Sequence, residues 1–246
     1  MKRVFQRDAM RTLLFKDLGR TEYPKALALQ ERLVAQKHEH KLPDILLLVE
    51  HPHVFTLGRG GKEKHLLHGG EIPFYRTSRG GDITYHGPGQ MVAYPVLDLR
   101  STLRRDVHVF LRRLERTIIL TLKAFDISAR RNPPWTGVWI GERKIASIGI
   151  AVRRGVSYHG LALNVTPDLS YFKRIIPCGL PWAEITSMER ELGRGISLAW
   201  VKEEFIDHFV RQFGYKELKE LCPEDIQIVS KSGPQVVPTT SASSGF

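Results

Sequence analysis

Cys178 is the residue whose neighbours best suit it to nucleophilic chemistry. It stands in the run RIIPCGLPW, between Pro177 and Gly179. Proline fixes the backbone on one side and glycine frees it on the other, so the pattern predicts a thiol presented on a rigid turn. The other cysteine, Cys222 in KELCPED, has no such setting, and we interpret it as structural or incidental. An average cysteine is a small buried hydrophobe, so Cys178 needs an activating partner before it counts as a nucleophile.

A second unusual segment, SRGGDITYHGPGQ, occupies residues 78–90. Five of its thirteen residues are glycine or proline, yet arginine, aspartate, threonine, tyrosine and histidine stand between them. Glycine lets another group approach the backbone closely. The segment therefore predicts either a binding loop lined by polar side chains or a tight loop shaped only for folding.

Two other motifs in the sequence resemble known catalytic or binding motifs but lack required residues. TLGRGGKE resembles a phosphate-binding loop, but Thr56 replaces its first glycine and Glu63 replaces the serine or threonine after the lysine. IASIG around Ser147 is not a nucleophile elbow, because Ile145 stands where glycine is required. These failures leave the cysteine as the main candidate for covalent chemistry.

Histidines give no metal site by their spacing. His51 and His53 fall on one face of an extended segment, but no cysteine or carboxylate pattern completes a ligand set, so we expect no metal. His86 and His159, taken alone, are more typical of hydrogen-bonded structural residues than of catalysts.

Composition is that of an ordinary globular protein with a strong positive charge. The 246 residues are 42% hydrophobic and carry a formal charge of +11, which suits nucleic acid, a membrane surface or an acidic protein as partner. Two cysteines cannot form a disulfide framework. Arg3, Arg7 and Arg11 could mimic a mitochondrial presequence, but Asp8 and the strand-like run that follows argue against one. We expect a cytoplasmic protein.

Helix-like and strand-like segments alternate along the chain and predict one α/β domain with a mixed central sheet flanked by helices. We expect residues 1–229 to form this domain, with its core at about 14–214, and the Ser/Thr-rich residues 230–246 to be a loose tail. Residues 53–59 read as the partner strand of residues 44–50, and GERK predicts a hairpin turn. The predicted helices are 21–40, 106–125 and 197–214, and the predicted strands are 44–50, 53–59, 91–99, 136–142, 143–155 and 156–165.

Loop and cysteine together resemble the lipoyl(octanoyl) transferases of lipoate biosynthesis. The resemblance is carried by RGGDITYHGPGQ, YPVLDL, GVWIGERKIASIGIAVRRGVSYHGLALNV and IIPCGL, in that order. It implies a fold like the catalytic domain of biotin and lipoate protein ligases. It also implies transfer of an octanoyl group from octanoyl-acyl carrier protein to a lysine of lipoyl domains, in 2-oxoacid dehydrogenases and the glycine-cleavage H protein, without a cofactor.

By this resemblance Cys178 forms an acyl thioester and Lys144 assists it. A free thiol has a pKa of about 8.5, so a nearby ammonium favours the reactive thiolate. Thiolate attack on a thioester needs no ATP, and a neutral Lys144 could then take a proton from the incoming amine. The resemblance further implies that the acyl group is held by Arg79, Gly80, Gly81, Asp82, Ile83, Thr84, Tyr85, His86, Ser147, Ile148, Gly149, Gly160, Leu161 and Ala162.

The positive charge then predicts a basic surface that attracts acidic partners, the acyl carrier protein and the lipoyl domain. The proposed basic patch consists of Arg104, Arg105, Arg112, Arg113 and Arg116 on the long helix.

Two alternative functions stay open at this point. One is an ATP-dependent lipoate or biotin ligase on the same fold. The other is a nucleic-acid-binding module without catalysis, although no nucleic-acid motif is recognised.

Overall fold

The structure, a computed structural model, describes residues 11–40, 42–102 and 106–222. The predicted tail, Arg104 and Arg105 lie outside the described residues. Within these ranges the helices are α1 (Tyr23–His40), α2 (Leu99–Thr102), α3 (Val107–Lys123), α4 (Met188–Leu192) and α5 (Leu198–Phe213). The strands are β1 (Thr12–Arg20), β2 (Asp44–Glu50), β3 (Val54–Leu57), β4 (Phe74–Arg76), β5 (Ile83–His86), β6 (Gln90–Val96), β7 (Arg130–Asn132), β8 (Trp135–Ile140), β9 (Arg143–Arg153), β10 (Val156–Asn164), β11 (Glu184–Ile185) and β12 (Glu217–Glu220).

The main sheet is mixed, as the sequence predicts. Its strand order is β12-β1-β2-β6-β10-β9-β8-β7, with β12, β1 and β2 parallel and the remaining neighbours antiparallel. β11 runs parallel to β9 and pairs with its first residues, beyond the point where β10 ends. β11 therefore brings the chain that follows Cys178 back to the start of β9.

Helices cover both faces of this sheet. On one face α3 and α5 bury apolar residues at helical spacing, and on the other α1 does the same. Two predicted helix ends of α5 are confirmed: Ser197 accepts a hydrogen bond from the Trp200 amide at 3.4 Å, and Gly214 ends the helix with a φ of 72°. No helix in the described part of the chain is both long and apolar enough to cross a membrane.

A second, three-stranded sheet in the order β4-β3-β5 corrects one prediction. We expected β3 to pair with β2, but β3 pairs with β4 and β5, while both edges of β2 are taken by β1 and β6. The run His51-Pro52 leads the chain out of the main sheet, because proline offers no backbone donor. The small sheet has its own core around Phe55, Ile83 and Tyr85, and it carries the glycine segment.

Candidate active site

The structure brings Cys178 and Lys144 together, and that they act as nucleophile and assisting residue stays a prediction. Lys144 Nζ lies 3.1 Å from Cys178 Sγ, and Ser147 Oγ lies 3.8 Å from the same sulfur. The Lys144 side chain is buried, whereas Cys178 is half-buried. An ammonium at this distance is a charge-assisted hydrogen-bond donor to a thiolate, which is the reactive form of cysteine.

A β-bulge explains how Lys144 reaches the sulfur. Val138 of β8 pairs with Ala146 of β9, yet the next residue, Trp139, pairs with Lys144. One step on β8 thus matches two steps on β9, and Ile145 is the extra residue.

The bulge changes which side chains share a face. In a regular strand residues 144 and 147 would point to opposite faces, because side chains alternate. Here Lys144 and Ser147 both approach Cys178. An irregularity in the strand therefore assembles the site.

The Cys178 backbone has the left-handed conformation, with a φ of 56° and a ψ of 19°. It sits in the single 3-10 turn Pro177–Gly179, as the proline and glycine beside it predict. A residue with a Cβ pays on the order of 1–2 kcal/mol for this conformation. Next to the turn the Ile176 amide donates to the His65 carbonyl at 2.8 Å, and further along β11 pairs Ile185 with Lys144.

A cavity opens beside the cysteine, on the sheet face that α1 covers. The structure brings twelve of the fourteen predicted binding residues to its wall. Those twelve are Arg79, Gly80, Gly81, Asp82, Thr84, His86, Ser147, Ile148, Gly149, Gly160, Leu161 and Ala162. That they contact an acyl group stays a prediction.

Ile83 and Tyr85 do not line this cavity. They alternate with Thr84 and His86 along β5, so their side chains enter the core of the small sheet on its other face. Tyr85 stacks on Tyr171 at 5.0 Å and shares a 2.8 Å hydrogen bond with His53. We therefore assign both residues to folding.

The glycines serve backbone packing as well as the cavity. A Cβ at Gly149 would lie 2.9 Å from the Gly80 carbonyl oxygen, and one at Gly160 would lie 1.9 Å from the Ala93 carbonyl oxygen. Gly81 has a φ of 84°, which disfavours any side chain. The Gly80 amide donates to the Ile150 carbonyl at 2.8 Å, which ties the loop to the main sheet.

Four residues that line the cavity were not among the predicted binding residues: Tyr23, Val92, Tyr94 and His159. Val92 and Tyr94 alternate along β6, a signal that the sequence does carry once this strand is known to border a site. Tyr23 comes from the first turn of α1, far away in the sequence, and only the tertiary fold reveals it.

Arg79 is a buried cation that holds the loop. Its guanidinium donates to the Thr56 carbonyl at 2.6 Å, to Thr56 Oγ1 at 2.9 Å and to the Gly80 carbonyl at 3.0 Å. Burial lowers the pKa of Arg79, whereas the negative charges that Tyr23 and then Cys178 acquire on ionisation raise it. A guanidinium remains protonated near neutral pH, so Arg79 adds positive charge to the cavity wall.

Three histidines around this cavity are neutral. Burial lowers the pKa of His51 to about 4, and the pKa values of His86 and His159 to about 3. Groups this weakly basic are poor general bases at neutral pH. The two histidines considered above as metal ligands hydrogen-bond to tyrosines, His51 to Tyr94 and His53 to Tyr85.

The buried histidines predict that the protein loses stability in mild acid. Their unfolded pKa is about 6.5, so below this pH the unfolded chain binds protons that the folded protein does not. The free energy of unfolding should fall by about 1.4 kcal/mol per pH unit for each histidine, until about pH 4 for His51 and about pH 3 for the other two.

Urea unfolding from pH 7 to pH 5 checks this expectation. His159→Asn should reduce the slope of the unfolding free energy against pH by the contribution of one histidine, because asparagine does not titrate. Asparagine also tolerates the φ of 56° found at this position. His68→Asn, at an exposed residue, is the control. Equal slopes for His159→Asn and the unchanged protein would contradict the prediction.

The described residues of the proposed basic patch, Arg112, Arg113 and Arg116, do not lie at the cavity. α3 packs on the opposite face of the sheet. Arg112 donates to Glu115 at 2.7 Å and Arg113 to the Gln212 carbonyl at 3.2 Å, while Arg116 is exposed. Helical periodicity identified the polar side of α3 but not which sheet face it covers.

Residues 22–210 match the sequence model of the lipoyl protein ligase A/B catalytic domain. The chain belongs to this family. Its relatives include the octanoyltransferase of Solibacter usitatus, 51% identical over 215 residues that cover 85% of this chain and 96% of the relative. The octanoyltransferase of Geobacter metallireducens is 46% identical, over 80% of this chain and 92% of the relative.

The fold of the lipoyl protein ligase A/B family is also found among solved structures. Lipoate-protein ligase A bound with ATP superposes with a TM-score of 0.70 and 16% identity, over 88% of this chain and 91% of that chain. At this identity the likeness shows the fold alone. The predicted α/β architecture and the predicted family resemblance are both confirmed.

Proposed function

We propose that the protein is an octanoyltransferase that moves an octanoyl group from octanoyl-acyl carrier protein to a lysine of lipoyl domains. Membership of the lipoyl ligase and transferase family and the names of its relatives support octanoyl transfer in protein lipoylation. The single observation that carries the mechanism is the 3.1 Å approach of Lys144 Nζ to Cys178 Sγ beside the cavity.

In the first half-reaction the Cys178 thiolate attacks the carbonyl carbon of the incoming octanoyl thioester. The bond from that carbon to the carrier sulfur breaks, and the carrier leaves as a thiolate that takes a proton from the Lys144 ammonium, which leaves Lys144 neutral. The product is an octanoyl thioester on Cys178. One thioester replaces another, so the step needs no ATP.

In the second half-reaction the amine of the acceptor lysine attacks the same carbonyl carbon. A neutral Lys144 takes the proton that this amine loses, and Cys178 leaves as a thiolate. Lys144 is well placed for both steps because its ammonium form stabilises the thiolate and its neutral form can accept a proton. The buried, weakly basic histidines leave Lys144 as the general base.

The cavity supports the binding of an acyl chain. Val92 and Ala162 supply apolar wall from the face that α1 covers, and the glycines around Cys178 leave the backbone accessible. Ile148 and Leu161 border the cavity, but their side chains pack into the core on the other face of the sheet. We place the enzyme in the cytoplasm, in accord with a sequence of only two cysteines, too few for a disulfide framework.

An assay without ATP tests the proposed function. The protein should move one octanoyl group from octanoyl-acyl carrier protein to an unmodified lipoyl domain. Intact mass spectrometry of the domain measures this transfer. A parallel reaction contains free octanoate with ATP and Mg²⁺ in place of the carrier. Modification only in that second reaction would establish an ATP-dependent ligase instead, because a ligase activates the free acid.

A further inference from the structure

Gly137 of β8 forms the floor on which the Lys144 side chain lies. Its φ is 130°, a conformation that glycine adopts readily and that residues with a Cβ disfavour. A Cβ at this position would lie 2.8 Å from Lys144 Cε, 3.4 Å from Nζ and 2.6 Å from the Ala146 carbonyl oxygen. The space that a side chain of residue 137 would fill is therefore the space that the catalytic lysine occupies.

Glu115 holds this glycine from the other side of the sheet. The side chain projects from α3 and is completely buried. One oxygen, Oε1, accepts a hydrogen bond from the Gly137 amide at 3.2 Å. The other, Oε2, lies 2.7 Å from Arg112 Nη1 and 3.0 Å from Arg131 Nε.

A buried carboxylate requires a reason, because its desolvation is costly and two arginines only offset that cost. Glu115 contributes nothing to the cavity wall, and no step of the proposed reaction uses it. Its contact with the Gly137 peptide lies next to the bulge that turns Lys144 toward Cys178.

We propose that Glu115 and Gly137 are positioning residues for the Lys144 ammonium. Glu115 fixes the Gly137 peptide through its hydrogen bond, and the missing side chain of Gly137 leaves the channel in which Lys144 reaches the sulfur. Trp139 bounds the same channel, with its ring centre 5.4 Å from Lys144 Nζ. This inference rests on the proposed function and extends it to two residues that do not touch the substrate.

Gly137→Ala tests the floor directly, and Gly141→Ala is its matched control. Both glycines have positive φ and stand in the β8–β9 hairpin, but a Cβ at Gly141 meets no atom within 4 Å. We expect Gly137→Ala to slow discharge of the octanoyl thioester about a hundredfold in single turnover, since a shift of about 1 Å at a reacting group can cost that much. Gly141→Ala should discharge at the rate of the unchanged protein.

Two further readouts separate positioning from a loss of folding. The KM for the lipoyl domain should stay unchanged in Gly137→Ala while kcat falls. In a Cys222→Ser background, alkylation of Cys178 by iodoacetamide near pH 7 should also slow, because the displaced ammonium no longer favours the thiolate. Alkylation uses no octanoyl donor, so it reports on Lys144 even if the proposed function fails.

Glu115→Gln and Glu115→Met test the hydrogen bond. Glutamine keeps an oxygen for the Gly137 amide and should lose no more than about tenfold in discharge, whereas methionine cannot accept and should approach the loss of Gly137→Ala. If Glu115→Met does not fold, Glu115→Gln decides alone, and a hundredfold loss in it would overturn the role of the hydrogen bond. Equal rates of discharge and alkylation in Gly137→Ala and Gly141→Ala would overturn the proposal as a whole.

Discussion

Octanoyl-acyl carrier protein, mixed with the enzyme without acceptor, should load one octanoyl group onto Cys178, and Cys178→Ser should abolish this loading. Sulfur is required because a serine hydroxyl is almost never ionised near neutral pH, and the adjacent Lys144 in its ammonium form cannot take a proton from it. The overall transfer rate should fall by roughly 10⁴-fold or more, the scale seen when a covalent nucleophile is removed. Intact mass spectrometry measures the loading, and hydroxylamine should release the group because it cleaves thioesters.

Cys222→Ser is the matched control for that experiment. Cys222 is exposed and lies just after β12, an edge strand of the main sheet, where its sulfur contacts the Glu220 carbonyl at 3.8 Å. We expect this variant to load like the unchanged protein. If Cys222→Ser abolished loading and Cys178→Ser did not, the assignment of the nucleophile would be wrong.

Replacing Lys144 by methionine should slow both half-reactions, and discharge by about 100- to 10,000-fold, the usual contribution of a general base. Methionine keeps much of the aliphatic stem but has neither the charge that favours the thiolate nor a site for the proton. Lys144→Arg should still permit some loading, since arginine keeps the charge, and should nearly stop discharge, since arginine does not lose its proton. Single-turnover measurements of loading and then of discharge on adding a lipoyl domain separate the two effects.

Size is the reason to compare both substitutions. Lys144 lies against Gly137 and Trp139 with little free space, so the larger, forked arginine must move its neighbours. A loss of both steps in Lys144→Arg alone would reflect this crowding, which is why Lys144→Met is the deciding variant. Rapid discharge in both variants would remove Lys144 from the mechanism.

Local patterns predicted most of the fold. Each long helix appears with ends within two residues of the expected ones, because capping residues and apolar periodicity are local signals. Pairing of β3 was mispredicted because it depends on which strand edges remain free, and β2 has none left after β1 and β6 have paired with it. No local signal reports the occupation of a distant edge.

Within the site, the sequence resemblance implied the chemical groups but not their orientation. Alternation along β5 removes Ile83 and Tyr85 from the cavity wall, and this follows only once the small sheet is known. The bulge at Ile145 has the opposite effect, because it brings a predicted residue to the site. Regular alternation would have turned Lys144 away from Ser147. The proposed role of Glu115 could not be predicted for a related reason. Helical periodicity indicates which face of α3 is buried, but not which strand of the sheet that face contacts.

The tryptophans beside the cysteine make the enzyme its own optical sensor. Trp182, half-exposed and four residues after Cys178, stacks on Trp139 at 5.6 Å and leans on Trp135 at 5.8 Å. Indole fluorescence responds to nearby charge and to exclusion of water, so the proposed acylation of Cys178 beside Lys144 should change the emission of these tryptophans. The fourth tryptophan, Trp200, packs on Phe125 in the distant helical layer, so Trp200→Phe would remove its background. Stopped-flow emission could then follow each half-reaction in real time, without a dye on either partner.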